Sequence, residues 1–207
     1  MNKCTIFAGG IIDDDLSYID IDSIKDTYII SADKGLLFAN KLGLKTDLII
    51  GDCDSLGYVP ENAALYPTKK DDTDLMLAVK EALNKGYTDI DIYGGFGGRF
   101  DHLFGNIQAL AYIAKHGSIG RLVSAADVVT VLNPGAYSFE KVNGFSLSLF
   151  AYTDTVEGLS LNGTEYTASN IILTNAFPLG VSNVITDNSA KITFESGKLI
   201  VIQSKLN

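Results

Sequence analysis

The sequence predicts an α/β protein in two parts, a parallel sheet layered between helices followed by an antiparallel β-sandwich. Three observations predict it. Up to about residue 120, short apolar runs alternate with helical patterns, the grammar of a parallel sheet covered by helices. After about residue 122 the runs become strand-like and follow one another through turn signals. No low-complexity linker or internal repeat intervenes, so the joint falls near Gly120–Ala126. These patterns divide the chain into a Rossmann-like three-layer domain over residues 1–122 and a β-rich domain over 123–207.

In the first part the expected strands are Cys4–Ala8, Tyr28–Ser31, Leu48–Ile50 and Ile90–Tyr93. Leu75, Ala78, Val79, Ala82 and Leu83 repeat at helical spacing, and Gly86 stands where that helix stops. Leu103, Ile107, Leu110 and Ala114 form a second stripe closed by Gly117, and Leu36 to Leu42 a shorter one ended by Gly43. In the second part the strands are Val128–Leu132, Tyr137–Lys141, Phe145–Tyr152, Ile171–Thr174, Lys191–Phe194 and Leu199–Ile202. Asn133-Pro134-Gly135, Asn143-Gly144, Asn162-Gly163 and Ser196-Gly197 supply turns.

Composition narrows the function classes. At 207 residues the chain can bury one core or two small ones. A formal net charge of -9 repels phosphodiester backbones, which argues against nucleic-acid binding. A nucleotide stays open, because a bound cation reverses the field locally. Two cysteines without a CxxC pair fit a reducing, cytoplasmic setting. No apolar run approaches the roughly 20 residues that span a bilayer, so no membrane partner is expected.

The informative feature is where the carboxylates fall. Asp33 follows the second strand, and Asp52 and Asp54 follow the third in Gly51-Asp52-Cys53-Asp54-Ser55. Asp71, Asp72 and Asp74 open one helix. Asp101 opens another, after the loop Gly94-Gly95-Phe96-Gly97-Gly98-Arg99. In a parallel sheet, strand C-termini and the following helix starts share one edge, where open α/β proteins bind ligands. Carboxylates gathered there repel unless protonated, solvated or neutralised by a cation. Magnesium suits oxygen donors and shares its shell with phosphates. The glycine loop lets backbone amides approach phosphate, and Arg99 can offset charge on a transferring group. Taken singly, Asp71, Asp72 and Asp101 are better read as helix N-caps, and Asp33 as a turn residue. Their convergence, with the Asp-x-Asp pair at 52 and 54, favours a site.

Other residues keep their plainer readings. Cys53 is a small buried filler, and His116 caps a helix dipole. His102 reads equally as a phosphate contact or a structural hydrogen bond, and Lys69 and Lys70 as phosphate ligands or solvated charges. No Walker A string, no GxGxxG after the first strand and no GxSxG elbow is present.

Ser31-Ala32-Asp33-Lys34-Gly35, Gly51-Asp52-Cys53-Asp54-Ser55, Lys70-Asp71-Asp72-Thr73-Asp74 and Gly98-Arg99-Phe100-Asp101-His102 stand in the order and spacing of the thiamine pyrophosphokinases. Asn106 fits as well, and Gly180-Val181-Ser182-Asn183 resembles that family's Ser-Asn element. The resemblance runs from about Ala32 to the C-terminus and rests on the combination of strings.

It implies an α/β domain and a β-rich domain, a homodimer whose active site uses both subunits, and magnesium-dependent conversion of ATP and thiamine to AMP and thiamine diphosphate. By motif, Asp52, Asp54, Asp74 and Asp101 carry metal and catalysis. Asp33, Lys70, Asp71, Thr73, Arg99 and His102 surround ATP, and Ser182 and Asn183 meet thiamine. Two departures stand out: Lys34 replaces a glycine, and Cys53 replaces an aromatic between the paired aspartates. Both alter the pocket wall more than the ligands. Rival readings are a pyrophosphokinase for another hydroxymethyl heterocycle such as a pterin, a metal-dependent phosphohydrolase, and a nucleotide- or thiamine-sensing module without turnover.

Overall fold

The computed structural model describes residues 2–11, 15–51, 63–65 and 71–206. The chain divides into two compact units, Met1–Ala125 and Ala126–Asn207. Asp52, Cys53, Asp54, Lys69 and Lys70 lie outside the described residues.

The first unit is a parallel sheet. Its strands are β1 (Lys3–Phe7), β2 (Tyr28–Ala32), β3 (Leu48–Gly51), β4 (Ala63–Leu65), β5 (Asp89–Tyr93) and β6 (Ile119–Val123). They pair side by side in the order β6-β5-β1-β2-β3-β4, every pair parallel. Helices α1 (Ile21–Ile24), α2 (Gly35–Lys41), α3 (Asp74–Asn84) and α4 (Phe100–Lys115) join them. The near-continuous burial of β1, β2 and β5 is what two covered faces require.

Strand alternation shows which helix covers which face. Phe7, Ile29 and Tyr93 pack in one cluster with Ile24 of α1 and Phe38 and Ala39 of α2. Ile90 points the other way from Tyr93, and its register partner Gly120 lies under Ile113 and Leu110 of α4. α3 packs beside α4 and against β2 and β3. Leu110 and Ile113 are fully buried, each contributing about 2 kcal/mol by removal from water. α4 stops as its pattern predicts: His116 caps it through Nδ1–H to the Tyr112 carbonyl at 2.8 Å, and Gly117 follows with φ +73°.

The second unit is all antiparallel. Its strands are β7 (Asp127–Leu132), β8 (Gly135–Glu140), β9 (Phe145–Ala151), β10 (Thr155–Asn162), β11 (Ala168–Thr174), β12 (Gly180–Asn183), β13 (Ser189–Phe194) and β14 (Leu199–Lys205). One sheet runs β12-β9-β14-β7 and the other β11-β10-β13-β8. Alternate residues of both sheets, among them Leu147, Leu149, Val156, Leu161, Ile192 and Val201, meet in one apolar core. No helix among the described residues is long and apolar enough to cross a membrane.

Candidate active site

A cleft of about 440 Å³ opens at the C-terminal edge of the parallel sheet. Its walls come from the ends of β1 and β2, the start of α3, the loop after β5 and the first turns of α4. Open α/β folds bind ligands at this edge because all strand ends and helix starts point there.

The floor is main chain. Gly10 donates its N–H to the Gly94 carbonyl at 2.9 Å. A Cβ on Gly10 would lie 2.3 Å from that oxygen, and one on Gly94, where φ is +70°, would lie 2.5 Å from the Ala8 carbonyl. The two loops therefore touch backbone to backbone and leave the space above them to a ligand. Asn106 of α4 secures this floor by donating its side-chain amide to the Gly95 carbonyl at 2.7 Å. Composition around the second strand follows the same logic. A Cβ on Gly35 would meet the Phe7 carbonyl at 1.9 Å, so position 35 must be glycine. Lys34 is exposed, begins α2 with ordinary helical backbone and carries its side chain without conflict.

The carboxylates arrive from separate elements. Asp33 follows β2, lines the cleft and holds an unusual positive φ of 49°, with its N–H donated to the Ile50 carbonyl at 2.8 Å. Asp74, the first residue of α3, lines the cleft too. Both approach Gly51, the last residue of β3: a Cβ there would lie 3.4 Å from the Asp33 Cα and 3.6 Å from Asp74 Oδ1. Asp52 follows Gly51 in the sequence. Among the described residues two carboxylates meet here, and no group of three or more His, Cys, Asp or Glu side chains is gathered to hold a metal ion.

Thr73 lines the cleft and caps α3, its hydroxyl accepting from the Met76 N–H at 3.1 Å. Asp71 is exposed and does not line the cleft. Asp72 does line it, and both of its oxygens accept from Lys80 Nζ at 2.8 and 2.7 Å. That bond raises the Lys80 pKa. Arg99 and His102 also line the cleft. Asp101 sits beside it at the start of α4, gripped by Arg99 through Nε at 3.1 Å and Nη2 at 2.5 Å, and accepting the His102 N–H at 2.9 Å. The Arg99 bond lowers the Asp101 pKa, and the backbone bond from His102 acts in the same sense. Both partners of that pair are largely exposed.

Within the second unit, Ser182 holds φ +58° and donates its N–H to Ser148 Oγ at 3.0 Å. Asn183 is buried and its amide is committed to the fold: Nδ2 donates to the Tyr166 carbonyl at 2.7 Å, and Oδ1 accepts from the N–H groups of Tyr166 and Val184. Its side chain thus shapes the surface around Ser182 and Tyr166. Residues that reading the sequence overlooked are Gly9 and Gly10, whose signal was a glycine pair directly after the first strand, and Lys80, which sits unmarked on a helix face.

The chain matches two family models, the catalytic domain of thiamin pyrophosphokinase over residues 22–119 and its vitamin B1 binding domain over 138–199. It is 33% identical over 216 residues to a thiamine pyrophosphokinase of Bacillus subtilis (strain 168), covering 99% of both chains. A crystal structure of thiamine pyrophosphokinase from Bacillus subtilis superposes with a TM-score of 0.87 at 31% identity, covering 98% of this chain and 99% of that one. Yeast thiamin pyrophosphokinase shares the fold at a TM-score of 0.78 and 14% identity, over 99% of this chain and 86% of its own. With full-length identity to a curated relative and both domain models matched in order, this chain belongs to the thiamine pyrophosphokinase family.

Proposed function

We propose that the chain converts ATP and thiamine to AMP and thiamine diphosphate, with the cleft at the sheet edge as its nucleotide half. The observation that carries this reading is convergence: Asp33, Asp74, Thr73, Arg99 and His102 reach one cleft from three separate stretches of sequence, over a floor of main chain. Backbone amides, a guanidinium and carboxylates that take a divalent cation are the set a magnesium triphosphate needs. Residues 1–122 are the nucleotide-binding domain in this proposal, and residues 123–207 the thiamine-binding domain.

The thiamine hydroxyl oxygen attacks the β-phosphorus, the bond from that phosphorus to the α,β-bridging oxygen breaks, and AMP leaves. Asp52, Asp54, Asp74 and Asp101 would hold magnesium, which when bound neutralises phosphate oxygens. One of Asp54 or Asp101 takes the hydroxyl proton. Arg99 moves from Asp101 to a phosphate oxygen, an exchange that an exposed ion pair permits at small cost. Asp33 and Thr73 line the nucleotide's space, with Lys70, Asp71 and His102 around it. Ser182 meets thiamine directly, and Asn183 acts there by holding Tyr166 in place.

We also propose a cytoplasmic homodimer with the active site at the subunit interface. Exposed Phe177, Leu179 and Val181 around β12 offer apolar surface for a second copy. The direct test is incubation with ATP, magnesium and thiamine. AMP and thiamine diphosphate appearing in equal amounts is the expected result, and free phosphate without a diphosphate ester would overturn it.

A further inference from the structure

We infer that Lys80 is a positioning residue that neutralises Asp72 from behind the cleft wall and so sets the charge the incoming triphosphate meets. Among the described residues, three carboxylates, Asp33, Asp72 and Asp74, line the cleft with one guanidinium, Arg99. Left at full charge, that lining repels ATP until a cation binds. Lys80 does not line the cleft. It lies on α3 and opens on a separate groove with Tyr87, Tyr112 and Ser118. Its long chain runs back toward the helix start, the direction in which helical side chains lean. Nζ takes both oxygens of Asp72 at 2.8 and 2.7 Å and stands 6.0 Å from the Tyr112 ring centroid, whose face favours a cation.

The pair has two consequences. Asp72 immediately precedes the Thr73 cap, so fixing its carboxylate fixes the entry to α3 and the direction from which Asp74 approaches the cleft. It also sorts the acids of the Asp71-Asp72-Thr73-Asp74 string, since an Asp72 held by Lys80 is withheld from a metal ion while Asp74 faces the cleft. The sorting comes from a residue eight positions away in the chain, outside every motif the string belongs to.

This inference rests on the nucleotide reading of the cleft, and a double-mutant cycle separates the two. The variants are Lys80→Met, Asp72→Asn and the double substitution. Equilibrium binding of α,β-methylene-ATP with magnesium is measured by calorimetry beside steady-state kinetics for both substrates. Lys80→Met leaves an uncompensated carboxylate in the wall, so it weakens nucleotide binding and raises KM for ATP about three- to tenfold. KM for thiamine, itself a cation, stays level or falls. Asp72→Asn moves KM for ATP the other way, because it leaves the Lys80 charge near the phosphates. The double variant returns toward wild type, which a merely structural loss of the pair would not do. Added salt shrinks all three differences. Should Lys80→Met not fold, Lys80→Gln and the double variant carry the same comparison. Wild-type binding of the analogue with no difference among the variants, or a double variant no better than Lys80→Met, overturns the inference alone. Failure of the wild-type chain to bind the analogue overturns the nucleotide reading.

Discussion

The first unit carries aspartates of two kinds, and burial separates them. Asp89 and Asp91 stand two apart on β5, so their side chains share one face of the sheet. Arg121 on the neighbouring β6 answers both: its Nε donates to Asp91 at 2.7 Å and its Nη2 to Asp89, while Lys3 pairs with Asp91 at 3.0 Å. Burial alone would lower the Arg121 pKa, yet Asp91 and Asp89 together hold it above its usual value. At the cleft, Arg99 turns the same two nitrogens, Nε and Nη2, on the single carboxylate of Asp101, and there the side chains are 74% and 61% exposed. Asp91, by contrast, is only 9% exposed at the side chain. A buried pair cannot part without stranding charge, so it serves as scaffold. An exposed pair can change partners freely, so it suits a site.

Substitutions that exchange these roles test the distinction. The largest effect belongs to the buried network. Arg121→Ala strands Asp89 and leaves Asp91 with Lys3 alone, and should lower stability by about 3 kcal/mol, read as a shift of the urea midpoint at unchanged slope. An unchanged midpoint would mean that water already serves these groups. Next comes Asp101→Asn, expected to lower kcat at least a hundredfold, roughly 2.7 kcal/mol in the barrier, while the melting temperature holds. A variant that loses activity and stability together would place Asp101 with Asp91 instead. Smaller again is Arg99→Gln, which should raise KM for ATP about tenfold and leave the unfolding midpoint within about 0.5 kcal/mol. Matched losses from Arg99→Gln and Arg121→Ala in both assays would dissolve the contrast.

Much of the fold was legible because periodicity reports which faces are buried. The Leu75 and Leu103 stripes became α3 and α4, and four apolar runs became β1, β2, β3 and β5. What escaped notice lacked that signal. β6 carries Gly120 and Arg121 where a central strand usually shows apolar residues, because Gly120 makes room for Ile113 and Arg121 answers β5. β10 interrupts its alternation around Gly158, where the pairing with β11 shifts register. β12 is a short edge strand with an irregular register against β9. The acidic strings placed their carboxylates at one edge of the sheet, and Asp33 and Asp74 both line the cleft there. The carboxylate pattern could not by itself distinguish Asp89-x-Asp91, which Arg121 neutralises, from a ligand pair, since the partner comes from another strand. Nor could it show that Asn183 turns its amide inward to Tyr166.

The backbone of Asp33 carries a cost of its own. Its left-handed backbone, φ 49°, costs an ordinary residue about 1 kcal/mol, a strain that glycine would not feel. Selection for thermal endurance alone would drift toward glycine there. In the reading proposed here Asp33 lines the nucleotide's space, so directed evolution for heat tolerance that exchanges it would relieve the strain and alter the cleft wall together.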